Sequence, residues 1–330
     1  MREIADFAVD AERAGLDEVW LPDSQLLWRD VFAVAAGVAA ATSRITLGTA
    51  VTNLVTRHPA VIASAARTVA ELAPGRFVLG VGVGNSSVGP IGLRPSTGAQ
   101  LRSRLSVLRD LLAGKRVDFG GVVTGLRDPV AVPIHMAASG PRNLRLAGEI
   151  ADGVILLSGV APEPLAAAIG AVRAGGDRPI TVSAFCRVTD DLARDARELK
   201  PVCLGIAYGG GAPFLAKAGV EVEVPQQLPA SYPDLLHAED WAAAVRACDP
   251  FVSDRAVEVF AREFCLYGTA GRIVARLREV ERAGAEAVFL QHVGSYDLPR
   301  QLLADVAERV LPATQSSSAG LVNRPGHVLG

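Results

Sequence analysis

Residues 48–87, GTAVTNLVTRHPAVIASAARTVAELAPGRFVLGVGVGNSS, contain two predicted strands and the helix that joins them. Apolar residues recur at helical spacing after Pro59, a residue that is favoured in the first turn of a helix. The helix is predicted to end at Pro74 and Gly75, and the apolar run at 77–83 predicts the second strand. A strand, a helix and another strand in this order are typical of a parallel α/β sheet.

The same alternation covers most of the chain. Seven apolar runs predict strands, and each has a predicted helix before and after it. This pattern predicts an α/β fold of the TIM (β/α)8-barrel type, with a doubly wound open sheet as the alternative. The predicted strands are residues 17–22, 45–51, 77–83, 132–138, 154–157, 180–188 and 287–292, and a small hairpin is predicted at 117–123.

Three segments depart from this pattern. The chain opens directly on a helix, so the first barrel strand is missing and the strands at 17–22 and 287–292 would face each other across an open seam. Residues 191–264 break the rhythm and are predicted to form a mostly helical insertion before the last strand. We therefore expect one barrel domain over 1–312 and a disordered tail, rich in Ser, Gly and Pro, at 313–330.

The composition argues against several classes of function. A net charge of −2 provides no basic surface for nucleic acid, and no apolar run is long enough to span a membrane. The N-terminus is amphipathic and charged, unlike a secretory signal. The four cysteines lie far apart with no CxxC pair, which indicates reduced, buried thiols in a cytoplasmic protein. The sequence shows no metal-ligand spacing and no nucleophile elbow.

Polar residues follow three predicted strands at their C-terminal ends, where barrel enzymes carry their sites. Asp23 and Ser24 follow the strand at 17–22, with a helix cap or a turn as the alternative role for Asp23. Small residues at 49–53 let a flat ligand approach the backbone, and residues 85–87 follow the next strand. His58 is predicted to cap the helix that begins at the following proline.

Glycines alternate along the strand at 77–83. Gly80, Gly82 and Gly84 do not lead into a helix in the way that the dinucleotide-binding fingerprint requires. We interpret them as thin strand positions that leave room for a ligand.

The best candidate for an anion site is the turn Ser139-Gly140-Pro141. Gly140 permits a close approach, and Pro141 begins a helix whose free N–H groups would point at the ligand. An ordinary turn capped by Ser139 is the alternative. Gly268 and Thr269 precede a second such helix start.

Together these residues resemble the bacterial luciferase-like superfamily. Within it, the chain is most similar to the branch that uses the deazaflavin coenzyme F420, typified by methylenetetrahydromethanopterin reductase. The matching motifs are DEVWLPD (17–23), ITLGTAVTNLVTRHPAVIASA (45–65), GRFVLGVGVGNSS (75–87), VPIHMAASGPRNLRLAGEIADGVIL (132–156) and YGTAGRIVARLREVERAGAEAVFLQ (267–291).

The resemblance implies where a cofactor would bind. Asp23 would lie beside the deazaflavin ring, and the Ala50–Val51 peptide would be the family's non-prolyl cis bond behind the ring. Residues 85–87 would line the ring or its side chain, and residues 139–141 would hold the phosphate. The cofactor-binding residues expected are Asp23, Ala50, Val51, Thr52, Asn53, Asn85, Ser86, Ser87, Ala138, Ser139, Gly140 and Pro141, and the catalytic residues expected are Asp23, Ser24 and Asn85.

The resemblance also implies an F420-dependent oxidoreductase that transfers a hydride between the deazaflavin and a small organic substrate, such as one with an activated C=C or C=N group. Many relatives have His at the position of Ser24 and an acid at that of Asn85, and neither side chain present here can act as a general acid near pH 7. The alternatives are an FMN-dependent monooxygenase and a non-catalytic flavin-binding or scaffolding protein. A homodimer is implied by the resemblance alone.

Overall fold

The strands form one nine-stranded parallel sheet and a separate antiparallel hairpin. The computed structural model describes residues 1–315 of the chain. The strands are β1 (Glu18–Leu21), β2 (Thr46–Thr49), β3 (Thr52–Asn53), β4 (Phe77–Gly82), β5 (Arg116–Asp118), β6 (Val123–Gly125), β7 (Ile134–Ala138), β8 (Gly153–Leu156), β9 (Ile180–Val188), β10 (Leu266–Gly268) and β11 (Ala287–Gln291).

Helices connect the successive strands of the sheet. The α-helices are α1 (Arg2–Ala14), α2 (Val31–Ala41), α3 (Pro59–Leu72), α4 (Asn85–Val88), α5 (Gly98–Leu112), α6 (Pro141–Ile150), α7 (Pro162–Arg173), α8 (Leu192–Asp195), α9 (Lys200–Ile206), α10 (Ala212–Lys217), α11 (Trp241–Ala247), α12 (Asp254–Phe264), α13 (Ala270–Arg282), α14 (Arg300–Asp305) and α15 (Leu311–Gln315). Short 3₁₀ segments lie at Gly89–Ile91, Ala196–Leu199 and Leu235–His237, and π-helical segments at Ala207–Gly211 and Val306–Val310.

The sheet curls until its two ends meet across an open seam. Its order is β1-β2-β4-β7-β8-β9-β10, with β3 beside β4 and β11 beside β9. Within the described residues, β1 pairs only with β2, and β11 pairs only with β9. The rings of Trp20 in β1 and Phe289 in β11 lie 6.1 Å apart, so side chains meet where no backbone ladder joins the strands. The TIM-barrel-like fold with a seam is confirmed, and the doubly wound open sheet is not what forms.

Two hydrophobic cores support the fold. The main core lies between the sheet and its surrounding helices, where Leu79 of β4 and Ile62 of α3 are fully buried. The second core lies mostly among the helices of residues 191–264 and contains Leu204, Val257 and Phe260. The inserted segment therefore has apolar packing of its own.

Most elements lie where the sequence predicts them. β9 has the predicted bounds, and β5 pairs with β6 around the predicted hairpin turn. Residues 191–264 are largely helical, as expected. The sequence prediction missed β10, a short strand that pairs with the end of β9. Only Cys265 separates its three residues from the end of α12, so no break in the apolar run marks where the strand begins.

Local signals at helix ends gave accurate predictions. His58 caps α3, because its Nδ1 accepts a hydrogen bond of 3.2 Å from the N–H of Ala60.

The predicted disordered tail is corrected at its first residues, since 313–315 belong to α15. The Thr314 hydroxyl there donates to the Leu311 carbonyl over 2.8 Å. The rest of that prediction, at 316–330, lies outside the described residues.

The cysteines are free and buried, which confirms the expected buried thiols. Over residues 1–315, no helix has both the length and the apolar character that crossing a membrane requires.

Candidate active site

Most of the C-terminal strand ends converge on a cavity of about 2050 Å³. It extends from these strand ends past the seam to the side chains of α1, so it is larger than the 300–1,000 Å³ typical of a ligand pocket. Three predicted site residues, Thr52, Asn53 and Ala138, are buried and do not line it. The predicted residues that do line it are Asp23, Ser24, Ala50, Val51, Asn85, Ser86, Ser87, Ser139, Gly140 and Pro141.

The backbone bulge after β2 forms one wall of the cavity. The Ala50–Val51 peptide is cis, as the resemblance implies. A Cβ atom on Gly80 would lie 1.9 Å from the Thr49 carbonyl oxygen, and one on Gly82 would lie 2.6 Å from Cγ2 of Val51. The bulge therefore fills the space beside Gly80 and Gly82, which corrects the interpretation of Gly80 as room for a ligand. Gly82 and Gly84 do line the cavity.

Serine and amide side chains join the loops of the second wall. The hydroxyls of Ser24 and Ser86 are 2.9 Å apart and share one hydrogen bond. Gln25 Nε2 donates to the carbonyl of Ser87, which ties the loop after β1 to α4. Asn85 is exposed at the first position of α4. Ser24 is thus held in place, whereas the Asn85 amide is open to the cavity.

The carboxylate of Asp23 is paired with a residue that sequence reasoning missed. Arg57 Nη1 donates to Oδ2 of Asp23, whose side chain is only 1% exposed. Burial alone lowers the pKa of Arg57, but its contacts with Asp23 and Asp30 outweigh burial and raise that pKa above the ordinary value. Asp23 therefore acts in an ion pair and not as a helix cap or a turn residue.

The start of α6 presents free backbone donors to the cavity. Gly140 is the N-cap with φ 72° and ψ 147°, and no side chain caps the helix. The alternative of a turn capped by Ser139 is therefore wrong. The first N–H groups of an α-helix have no acceptor within the helix, so they can bind an anion here. By contrast, the second candidate start is already capped, since Thr269 Oγ1 accepts from the N–H of Arg272.

Two histidines that the sequence did not predict as site residues, His237 and His292, also line the cavity. His237 Nδ1 lies 2.9 Å from Oδ2 of Asp234. His292 directly follows β11, and its Nε2 is buried without a hydrogen-bond partner among the described residues. Burial lowers the pKa of His292, so its imidazole is neutral at neutral pH. In the sequence, His292 could have been found from its position at the end of the last predicted strand, 287–292.

A curled parallel sheet surrounded by helices, with a large cavity at its C-terminal strand ends, defines a TIM-barrel-like α/β protein. The sequence comparison narrows this class. The chain belongs to the luciferase-like monooxygenase family, whose model matches residues 1–287.

The chain is similar in sequence to two kinds of enzyme. It is 40% identical over 182 residues to the F420-dependent glucose-6-phosphate dehydrogenase of Nakamurella multipartita. This alignment covers 48% of this chain and 53% of that protein. It is 28% identical over 298 residues to the 5,10-methylenetetrahydromethanopterin reductase of Archaeoglobus fulgidus. This second alignment covers 84% of this chain and 86% of that protein. The match thus spans about half the length of the dehydrogenase.

Solved structures share the fold. The coenzyme F420-dependent tetrahydromethanopterin reductase of Methanopyrus kandleri aligns with a TM-score of 0.73 and 23% identity, over 94% of this chain and 95% of that one. An F420-dependent secondary alcohol dehydrogenase aligns with a TM-score of 0.66 and 18% identity, over 93% of both chains.

Proposed function

We propose that this protein is an F420-dependent oxidoreductase that transfers a hydride between the deazaflavin and a small organic substrate. The observation that carries the proposal is that the uncapped start of α6 and the end of β1 line the same cavity. The start of α6 offers N–H donors for a phosphate, and Asp23 at the end of β1 offers a carboxylate beside a space for a planar ring. The similarity to enzymes named as F420-dependent supports the choice of cofactor.

The residues present fit such a cofactor. The N–H groups at the start of α6 would hold its phosphate, and Gly140 would allow the backbone to approach it. Ala50 and Val51 would support the back of the ring, with Asp23 and Ser86 beside it. When bound, a deazaflavin supplies hydride chemistry and reacts poorly with oxygen. The protein would then need chiefly to orient the acceptor and to exclude water.

The chemistry of Ser24 and Asn85 favours an acceptor that needs no proton from these two side chains. The Ser24 hydroxyl is hydrogen-bonded to Ser86, and Asn85 carries a neutral amide. Neither group titrates near neutral pH. A hydride added to a cationic C=N group gives a neutral amine without a proton, so we propose an activated C=N group as the substrate class. An activated C=C group is the alternative, and the enolate left by hydride addition would then take its proton from solvent.

Binding measurements with two cofactors test the proposal. We expect saturable binding of F420, in the micromolar range or tighter, when fluorescence or absorbance is followed during titration. FMN should bind much more weakly under the same conditions. Saturable FMN binding with no response to F420 would contradict the proposal and favour an FMN-dependent monooxygenase, the reaction class in the name of the matching family model.

A further inference from the structure

Arg57 connects three elements at the edge of the cavity. Besides its contact with Asp23, its Nη2 donates to Oδ2 of Asp30 over 2.9 Å. Asp30 caps α2, so one guanidinium joins the end of β1 to the start of α2. Arg57 itself lies in the segment between β3 and α3. The side chain is largely buried, with 17% exposed.

The position of this guanidinium is fixed by further contacts. It lies over the ring of Phe32, with its carbon 5.5 Å from the ring centroid. Its Nη1 is also 3.5 Å from Oγ1 of Thr52. A planar guanidinium held on one face and at both terminal nitrogens has a single orientation. The direction in which Arg57 holds Asp23 is therefore set by the scaffold.

Among residues 1–315, the protein contacts one oxygen of the Asp23 carboxylate. Within residues 1–315, Arg57 is the recorded hydrogen-bond partner of this carboxylate, through Oδ2. Oδ1 has no recorded protein donor there, and Asp23 lines the cavity. Asp30 is the other charged group that contacts the guanidinium. Arg29, which precedes Asp30 in the sequence, and His58, which follows Arg57, make no hydrogen bond or ion pair with either carboxylate among residues 1–315.

We propose that Arg57 is a positioning residue of the site. It compensates the charge of Asp23 and turns the carboxylate so that Oδ1 accepts a hydrogen bond from an N–H or O–H group of the bound ligand. This inference rests on the proposed function for the identity of that ligand, F420. Because an ionised carboxylate accepts hydrogen bonds and donates none, Asp23 recognises the ligand and supplies no proton.

The first test needs no cofactor. In Arg57→Gln, the buried carboxylate has no counter-charge and takes up a proton in the folded state. The folded protein then binds more protons than the unfolded chain, so the variant's unfolding midpoint should fall, relative to wild type, as the pH rises from 5 to 8. The double variant Asp23→Asn/Arg57→Gln should lose this extra pH dependence. An Arg57→Gln variant with the wild-type pH profile would overturn the proposal.

The second test measures F420 affinity at pH 7. We expect Arg57→Gln to weaken binding at least tenfold. Arg109→Gln is the matched control: it removes an arginine–aspartate ion pair, the one to Asp152, whose members do not line the cavity, and its affinity should stay within twofold of wild type. If Arg57→Gln does not fold, Arg57→Lys provides the same test, since a point charge cannot hold both carboxylates and affinity should fall. Unchanged affinity in the folded arginine variant would overturn the proposal.

The two tests separate this inference from the proposed function. If wild-type protein does not bind F420, the proposed function fails, and the pH profiles still decide whether Arg57 compensates Asp23. If F420 binds and both arginine variants behave like wild type, the proposed function stands and the role of Arg57 is refuted.

Discussion

The Asn53 side chain joins two loops of the candidate site: its Nδ2 donates to Oγ of Ser87 over 2.9 Å. Both side chains are buried. On its other side, Oδ1 of Asn53 accepts from the N–H groups of Val55 and Thr56, at 3.0 and 2.9 Å. Asn53 was expected to contact the cofactor, but it lies behind the cavity wall and fixes the bulge relative to α4.

We expect Asn53→Ala to lower the free energy of unfolding by about 2–3 kcal/mol, because it leaves buried groups without partners. Ser87→Ala should cost about 1 kcal/mol. Their effects should not add, since the first substitution already removes the bond to Ser87. Urea unfolding of both single variants and the double variant measures this, and additive losses would contradict the coupling.

We expect Gly140→Ala to weaken F420 binding about tenfold, the equivalent of 1.4 kcal/mol. No atom lies within 4 Å of a Cβ at this position, so the effect comes from the backbone, whose φ of +72° only glycine adopts readily. Gly271→Ala in α13 is the matched control, with equal space and no positive φ, and should bind normally. Equal affinities of the two variants would place the phosphate elsewhere.

Gly80→Ala should destabilise the fold by about 3 kcal/mol, because the new Cβ meets the carbonyl of Thr49, a backbone atom that cannot swing aside. Gly89→Ala adds a Cβ in open space at a helical φ of −55° and should change stability little. Thermal and urea unfolding compare the pair. A Gly80 variant as stable as the Gly89 variant would show that the bulge is not tightly packed against β4.

The carboxylate of Glu12 makes folding stability depend on acid pH. Partial burial alone raises its pKa, but hydrogen bonds from the backbone N–H groups of Ile45, Arg44 and Ser43 outweigh burial and hold the pKa at about 2. Its value in the unfolded chain is near 4.5. The stabilisation is therefore complete above pH 4.5 and is lost as the pH falls towards 2.

Wild type should exceed Glu12→Gln in unfolding free energy by about 1–2 kcal/mol at pH 6, after allowance for solvent screening. The difference should shrink below pH 4.5 and vanish near pH 2. Urea unfolding across this range measures it, and a difference that does not change with pH would rule out the carboxylate as its source.

The alternating pattern of strands and helices was predictable because it depends on neighbouring residues. The ends of β9, the cap at His58 and the turn between β5 and β6 are all encoded within a few positions. The role of Arg57 was not predictable in this way, because its partner Asp23 is 34 positions away in the sequence. The space beside Gly80 was not predictable either, because it is filled by the carbonyl of Thr49 at the end of another strand, β2.

The two strands at the seam differ mechanically from the central strands β2, β4 and β7. Among the described residues, β1 has a backbone ladder on one side only, whereas β2, β4 and β7 are held on both sides. A strand tethered along one edge is more compliant than its neighbours. The site therefore combines stiff walls after β4 and β7 with one soft wall after β1, and the bond from Arg57 stiffens that wall where Asp23 meets the cavity.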